Sequence, residues 1–189
     1  YHARAMGNPL RDRRPLAELA AKGQVFEIAD KISNFKGLAE IVEADLGSLD
    51  ADKIPQDWRD AALTGRLEFG FADAQQRVAT IEGEVSVTID AVCQRCLDSF
   101  RLPLTAKLRL MPVSGTDQAD GNSEFDVWEL DDEMVCPADI VEEALIMAMP
   151  LAAMHSVAEE CGKYEPVAND AEQTTRPFAD LKSQLEENR

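Results

Sequence analysis

Two long runs of alternating polarity set the strongest limit on what this chain can fold into. Ile81, Val85, Val87, Ile89 and Ala91 alternate with Glu82, Glu84, Ser86, Thr88 and Asp90, and Phe100, Leu102, Leu104, Leu108 and Leu110 repeat the pattern on even numbers. Successive strand side chains point to opposite faces, so each run is a strand with one apolar face. The two pair most simply as an antiparallel hairpin. A third strand is read where Leu63, Leu67, Phe69 and Phe71 alternate with Thr64, Arg66, Glu68 and Gly70, and a short fourth around Phe125–Leu130.

Helical spacing occupies other stretches. Leu16, Leu19 and Ala20 share a face that Gly23 ends, and a short strand at Val25–Ile28 follows. Leu38, Ile41, Val42 and Leu46 recur at three- and four-residue steps. Pro137 suits the first turn of a helix, and Ile140, Val141, Ala144, Leu145 and Ala148 then build one apolar stripe ended by Pro150. The expected fold class is α+β: an antiparallel sheet whose long hairpin bears Cys-x-x-Cys at its tip, covered by a C-terminal helix. Residues 9–162 are read as one domain and 163–189 as a flexible acidic tail with a short helix near its end.

The net charge of −17 excludes a uniformly basic nucleic-acid binder, but it is unevenly spread. Residues 1–36 hold seven Lys and Arg against four acids, a balance of +3, while residues 116–189 hold four against 19, a balance of −15. No run of 18 apolar residues exists, so no membrane span is expected. Arg4, Arg11, Arg13 and Arg14 are not followed by an apolar segment, so a secretory signal is not read and a cytoplasmic location is expected. Four cysteines in such a chain are core, redox or metal groups rather than a disulfide framework.

Cys93 and Cys96 lie on the turn between the two long strands, where two thiolates form half of a tetrahedral zinc site. His155 and Cys161, after the Pro150 helix, are the candidates for the other half. The ten or so residues after Pro150 reach about 33 Å when extended, so closure is possible without being forced. The alternative is a pair of reduced surface thiols and a partly buried Cys161. A redox role is disfavoured, because reactive Cys-x-x-Cys pairs sit at helix N-termini and this one sits between strands. Cys136, before the helix, reads as a small structural residue. No Walker loop, Ser-His-Asp order or paired-carboxylate motif supplies an anchor for catalysis, and no small-molecule substrate is expected.

Three ordered motifs resemble the YceD-type large ribosomal RNA subunit accumulation proteins. They are Val92-Cys93-Gln94-Arg95-Cys96 after the alternating strand, the helix Asp139–Pro150 leading to His155 and Cys161, and Arg176-Pro177-Phe178-Ala179-Asp180-Leu181 near the end. The resemblance runs over roughly residues 9–186. Some relatives carry a second Cys-x-x-Cys where this chain offers His155 and Cys161. The resemblance implies a non-enzymatic role in the synthesis, processing or stability of large-subunit (23S) ribosomal RNA, with that RNA or its precursor as partner.

RNA contact would fall on Arg95, Arg101, Lys107 and Arg109, which surround the cysteine turn with only Asp98 against them along the chain. The last three share the hairpin face opposite the apolar residues. An ordinary solvated strand face is the alternative. Phe178, Leu181 and Leu185, at i, i+3 and i+7 in the acidic tail, could bind a basic ribosomal protein or assembly factor. On that second view the chain is a zinc-stabilised protein-interaction adaptor without direct RNA contact.

Overall fold

A computed structural model describes residues 8–73, 75, 78–114, 124–130 and 132–161. In chain order its elements are β1 (Arg14–Pro15), α1 (Leu16–Ala21), β2 (Val25–Lys31), α2 (Lys36–Leu46), β3 (Ala62–Phe71), β4 (Ala79–Val92), β5 (Ser99–Ser114), β6 (Asp126–Leu130), β7 (Met134–Val135) and α3 (Pro137–Met147). The expected α+β architecture is therefore present, and the alternating runs form the two longest strands. They pair antiparallel, with Ile81 opposite Leu110 and Val92 opposite Ser99.

The main sheet has the order β2-β3-β4-β5-β6. Its first four strands are antiparallel. β6 departs from that scheme, running parallel to β5 with Asp126 opposite Leu110 and Leu130 opposite Ser114. Alternation reports which face a residue takes and is silent on strand direction, so the sequence reading could place this strand but not orient it. β1 and β7 form a separate two-stranded clip, which was not expected from such short segments.

All three helices cover one face of the sheet, α1 over β3, α2 over β4 and α3 over β5. That face carries the buried Leu63, Leu67, Phe69, Ile81, Val85, Val87, Ile89, Leu104 and Leu108. From the helices come Leu19, Leu38, Val42, Leu46, Val141 and Leu145. Burying side chains of this size is worth about 1.5–3 kcal/mol each, which makes the helix-to-sheet layer the main source of stability. Among the described residues no helix is long and apolar enough to cross a membrane.

Two contacts fix how the helices meet each other and the sheet. Phe35, the residue that opens α2, has no side-chain acceptor for the free N–H groups. Glu142 of α3 takes that part, its Oε1 accepting from the Leu38 N–H at 2.9 Å, which also places a carboxylate at the positive end of α2. Gly37 leaves the space, since a Cβ there would stand 3.1 Å from the same oxygen. At the other end of α2, Asp45 Oδ2 accepts from the Val92 N–H at 2.7 Å. The helix thus holds the last residue of β4, immediately before Cys93.

Glu142→Ala removes the borrowed cap and is expected to lower unfolding free energy by about 1 kcal/mol, the usual worth of an N-cap. Urea denaturation followed by circular dichroism measures it; Glu142→Gln, which keeps an acceptor, should recover part of the loss.

Candidate metal centre

The turn between β4 and β5 is built by its own backbone. The Cys93 N–H donates to Asp98 O at 3.0 Å and the Leu97 N–H to Cys93 O at 2.8 Å. Leu97 closes the turn at φ 60°, the left-handed region. That geometry turns Cys93 and Cys96 toward one point, Cys93 fully buried and Cys96 half-buried.

The segment after α3 comes back to the same point. Gln94 donates its N–H to Ala153 O at 2.8 Å, tying residue 153 to the turn. Two residues on, His155 lies against Phe100 of β5, ring centroids 4.6 Å apart and planes at 37°. Cys161 follows a short 3-10 turn at Ala158–Glu160 and is buried. Sequence reasoning left this closure open; the structure makes it.

The ligand atoms of Cys93, Cys96, His155 and Cys161 all lie within 4.8 Å of one another, and the four can hold a metal ion. Cys93 Sγ is 3.8 Å from Cys161 Sγ, Cys161 Sγ 3.5 Å from His155 Nδ1, and Cys96 Sγ 3.7 Å from the same nitrogen. All four cysteines of the chain are free thiols. The electrostatics are those of a site that asks for a cation. Burial opposes charge on Cys93, but the N–H groups of Cys96, His155 and Arg95 and the His155 side chain outweigh it and bring the thiol down to about 5. Burial pushes Cys161 up to about 11, helped by its contacts with Cys93 and Cys96. One thiolate is thus stabilised while its neighbour stays protonated. A metal ion would remove that conflict by compensating both charges.

Cys136, the fourth cysteine, is elsewhere: half-buried before α3, with its Sγ 3.8 Å from Leu10 O. This is the structural part that its position suggested. Two residues that position the site were missed, Asp45 and Phe100. Asp45 lies on the polar side of a helix far along the chain, where no local pattern marks it. Phe100 was read only as a core residue of its strand, although its place four residues after Cys96 sets it beside the ligands.

The other candidates are distributed differently. Arg101, Lys107 and Arg109 share the solvent face of β5, as alternation requires, and all three are exposed. Register sets each against a carboxylate of β4: Arg101 against Asp90 at 3.8 Å, Lys107 against Glu84 at 3.8 Å and Arg109 against Glu82 at 3.9 Å. Arg109 also meets Glu124 at 2.8 Å. One row crosses four strands as Glu27, Arg66, Glu84 and Lys107, alternating in sign. The surplus of cations counted along β5 is therefore cancelled across the sheet. Asp90 itself is buried and, despite Arg101, burial holds its carboxyl above the usual range. Among the described residues, Arg95 is the one Lys or Arg without a carboxylate at ion-pair distance; its guanidinium rests 4.0 Å from Met154 Sδ. Phe178, Leu181 and Leu185 lie outside the described residues.

Comparison with known proteins covers the stretch of chain that contains these four residues. The model of a family described as "Large ribosomal RNA subunit accumulation protein YceD" matches residues 81–185, from the start of the long hairpin past the last ligand. A protein of that name from Haemophilus influenzae is 33% identical over 98 residues, which is 51% of this chain and 56% of the relative. The match thus spans little more than half of the relative's length. No solved structure matches the chain.

Loading the site at pH 7 must displace the Cys161 proton, whereas Cys93, at about 5, has already lost its own. Zn2+ titrated into metal-free protein in weak buffer is therefore expected to release more protons from the wild type than from Cys161→Ser, by about one per site. Equal release from the two would show that Cys161 is not a ligand.

Proposed function

The chain belongs to the YceD family of large ribosomal RNA subunit accumulation proteins, and on that premise we propose that it supports the synthesis, processing or stability of large-subunit (23S) ribosomal RNA in the cytoplasm without being an enzyme. The observation that carries the non-enzymatic part is the donor set. Four protein ligands fill a tetrahedron and leave no open position for a substrate, which is the pattern of structural rather than catalytic sites.

Zinc is the metal the donors fit. Zn–S bonds of about 2.3 Å and Zn–N bonds of about 2.0–2.1 Å give tetrahedral edges of about 3.8 Å between sulfurs and about 3.5 Å between sulfur and nitrogen. The separations of 3.8, 3.5 and 3.7 Å match those edges. Three thiolates also favour zinc over the harder divalent ions. Bound there, zinc would clasp the hairpin tip to the segment after α3.

The partners of this proposal are the ribosomal RNA or its precursor and, through it, basic ribosomal proteins or assembly factors. Direct RNA contact would centre on Arg95, with Arg101, Lys107 and Arg109 as flanking cations. The in-register pairing of those last three favours the second reading, a zinc-stabilised protein adaptor that does not touch RNA. A face whose cations are matched by carboxylates attracts a polyanion weakly.

Two measurements separate these readings. Purified reduced protein should carry about one equivalent of zinc by elemental analysis, and less than about a tenth of an equivalent would remove the clasp. Arg95→Glu should weaken binding to 23S RNA fragments severalfold and lower the salt slope by about one. Wild-type protein that shows no RNA binding at 50–200 mM salt would leave the adaptor reading standing. Arg95 is the better probe than Arg101, because reversing Arg101 would leave Asp90 buried beside a second carboxylate and disturb the fold.

A further inference from the structure

β5 is longer than its neighbour on the outer side of the sheet. β6 pairs with Leu110–Ser114 alone, so from Ser99 to Arg109 no strand among the described residues lies along the outer edge. The turn sets the phase of the free backbone groups. The Cys93 N–H to Asp98 O bond opens the antiparallel ladder, and bonded pairs then recur at every second residue, so the even-numbered residues of β5 bond to β4. The odd-numbered ones turn N–H and C=O outward. Pro103, which has no N–H, is odd-numbered and fits that phase, since proline in a sheet is confined to places where its missing N–H faces away from the ladder. Thr105, Lys107 and Arg109 keep theirs.

The same stretch borders an apolar groove. Ala106, Leu108 and Leu110 of β5, Trp128 of β6 and Ala144 and Met147 of α3 line a volume of about 340 Å³. Met147 is 79% exposed, although α3 packs on β5. Unpaired main chain beside a groove between strand and helix has the two parts of a strand-addition site: backbone groups that bind any extended segment, and a slot for every second side chain.

We propose that the outer edge of β5 at Thr105–Arg109 receives an extended segment of another polypeptide as an added strand. The two faces set its chemistry. On the open face Glu27, Arg66, Glu84 and Lys107 form the row of alternating sign, in which Arg66 and Glu84 have an opposite charge on each side and Lys107, at the end, has one. An added strand continues the row with a carboxylate opposite Lys107. On the α3 side its alternate residues are apolar. Asp126 and Glu143 border the groove with no cation at ion-pair distance among the described residues, so lysine or arginine flanks the apolar positions. A second copy of this chain is the wrong occupant, because two β5 edges set side by side bring the Arg101, Lys107 and Arg109 cations of one chain against those of the other. Neither the edge nor the groove contains a metal ligand, so the proposal is independent of the zinc clasp.

The probes are fluorescein-labelled eight-residue peptides with lysine at each end and glutamate alternating with valine, leucine or phenylalanine between, titrated with the full chain. At least one is expected to bind saturably. Methylating one alternate set of its amide nitrogens should weaken binding about tenfold, as loss of main-chain hydrogen bonds requires, while methylating the other set should leave it nearly unchanged. Lys107→Glu should weaken binding severalfold and a peptide with lysine in place of the glutamates should recover it; Met147→Glu should weaken every member. Both side chains are exposed, so neither change disturbs the core. In the free chain the amides of Thr105, Lys107 and Arg109 should exchange with deuterium faster than those of Ala106 and Leu108. Equal sensitivity to methylation of the two sets, no peptide bound by the wild type, or binding indifferent to both substitutions would each overturn the proposal. So would protection of both sets of β5 amides in the free chain, because the edge would then already be taken.

Discussion

Three thiols and an imidazole gathered within 4.8 Å of one another are the contact on which the arrangement of the turn and the segment after α3 rests. Burial opposes the thiolate at Cys93 and at Cys161, but Cys93 has N–H groups around it that bring its thiol down to about 5, while Cys161 is pushed up to about 11. The remaining ties between the turn and the segment after α3 are few: the Gln94 to Ala153 hydrogen bond, the Phe100 to His155 ring contact and the Arg95 to Met154 contact. Each is worth about 1 kcal/mol. A structural zinc ion there would supply of the order of 10 kcal/mol, more than those three ties together.

The sheet brings the two halves of that site into range. β4 and β5 carry the turn at their shared end, and Asp45 on α2 anchors the last residue of β4 at its base. α3 then crosses β5, so the chain that follows it starts within reach of the turn. The Glu142 bond to Leu38 N–H sets α3 against α2. The same two helices therefore build the core and aim both ligand-bearing segments at one point.

Much of this could be read along the chain. Alternation in Ile81–Ala91 and Phe100–Leu110 gave both long strands and their buried faces, because one side chain in two must enter the core regardless of neighbours. The ligand set was legible by chemistry, since Cys93, Cys96, His155 and Cys161 are the residues with suitable atoms near two predicted turns. What stayed hidden was relational. β6 joins parallel, Asp45 caps a strand end 47 residues away, and Glu142 caps a helix 104 residues away. No local pattern encodes such contacts. The cations of β5 teach the same point: counting along one strand gave a surplus, and only the register showed Glu82, Glu84 and Asp90 facing them.

That register also changes what the charge of −17 means. Acid is not simply remote from the hairpin, for β4 carries carboxylates to the very strand that holds the cations, and the open face of the sheet is matched within itself. Surface pairs of this kind contribute about 0–1 kcal/mol each, so they do little for stability. Their larger effect is to leave that face with almost no net field. Recognition by this molecule must then concentrate where charge is unmatched and apolar side chains are exposed. Among the described residues both conditions meet at Arg95, Leu97 and Met154, on the rim that the four ligands hold together, and along the groove between α3 and β5. That rim is built by the turn and the segment after α3, while the helix-covered core beneath rests on the sheet and helices alone.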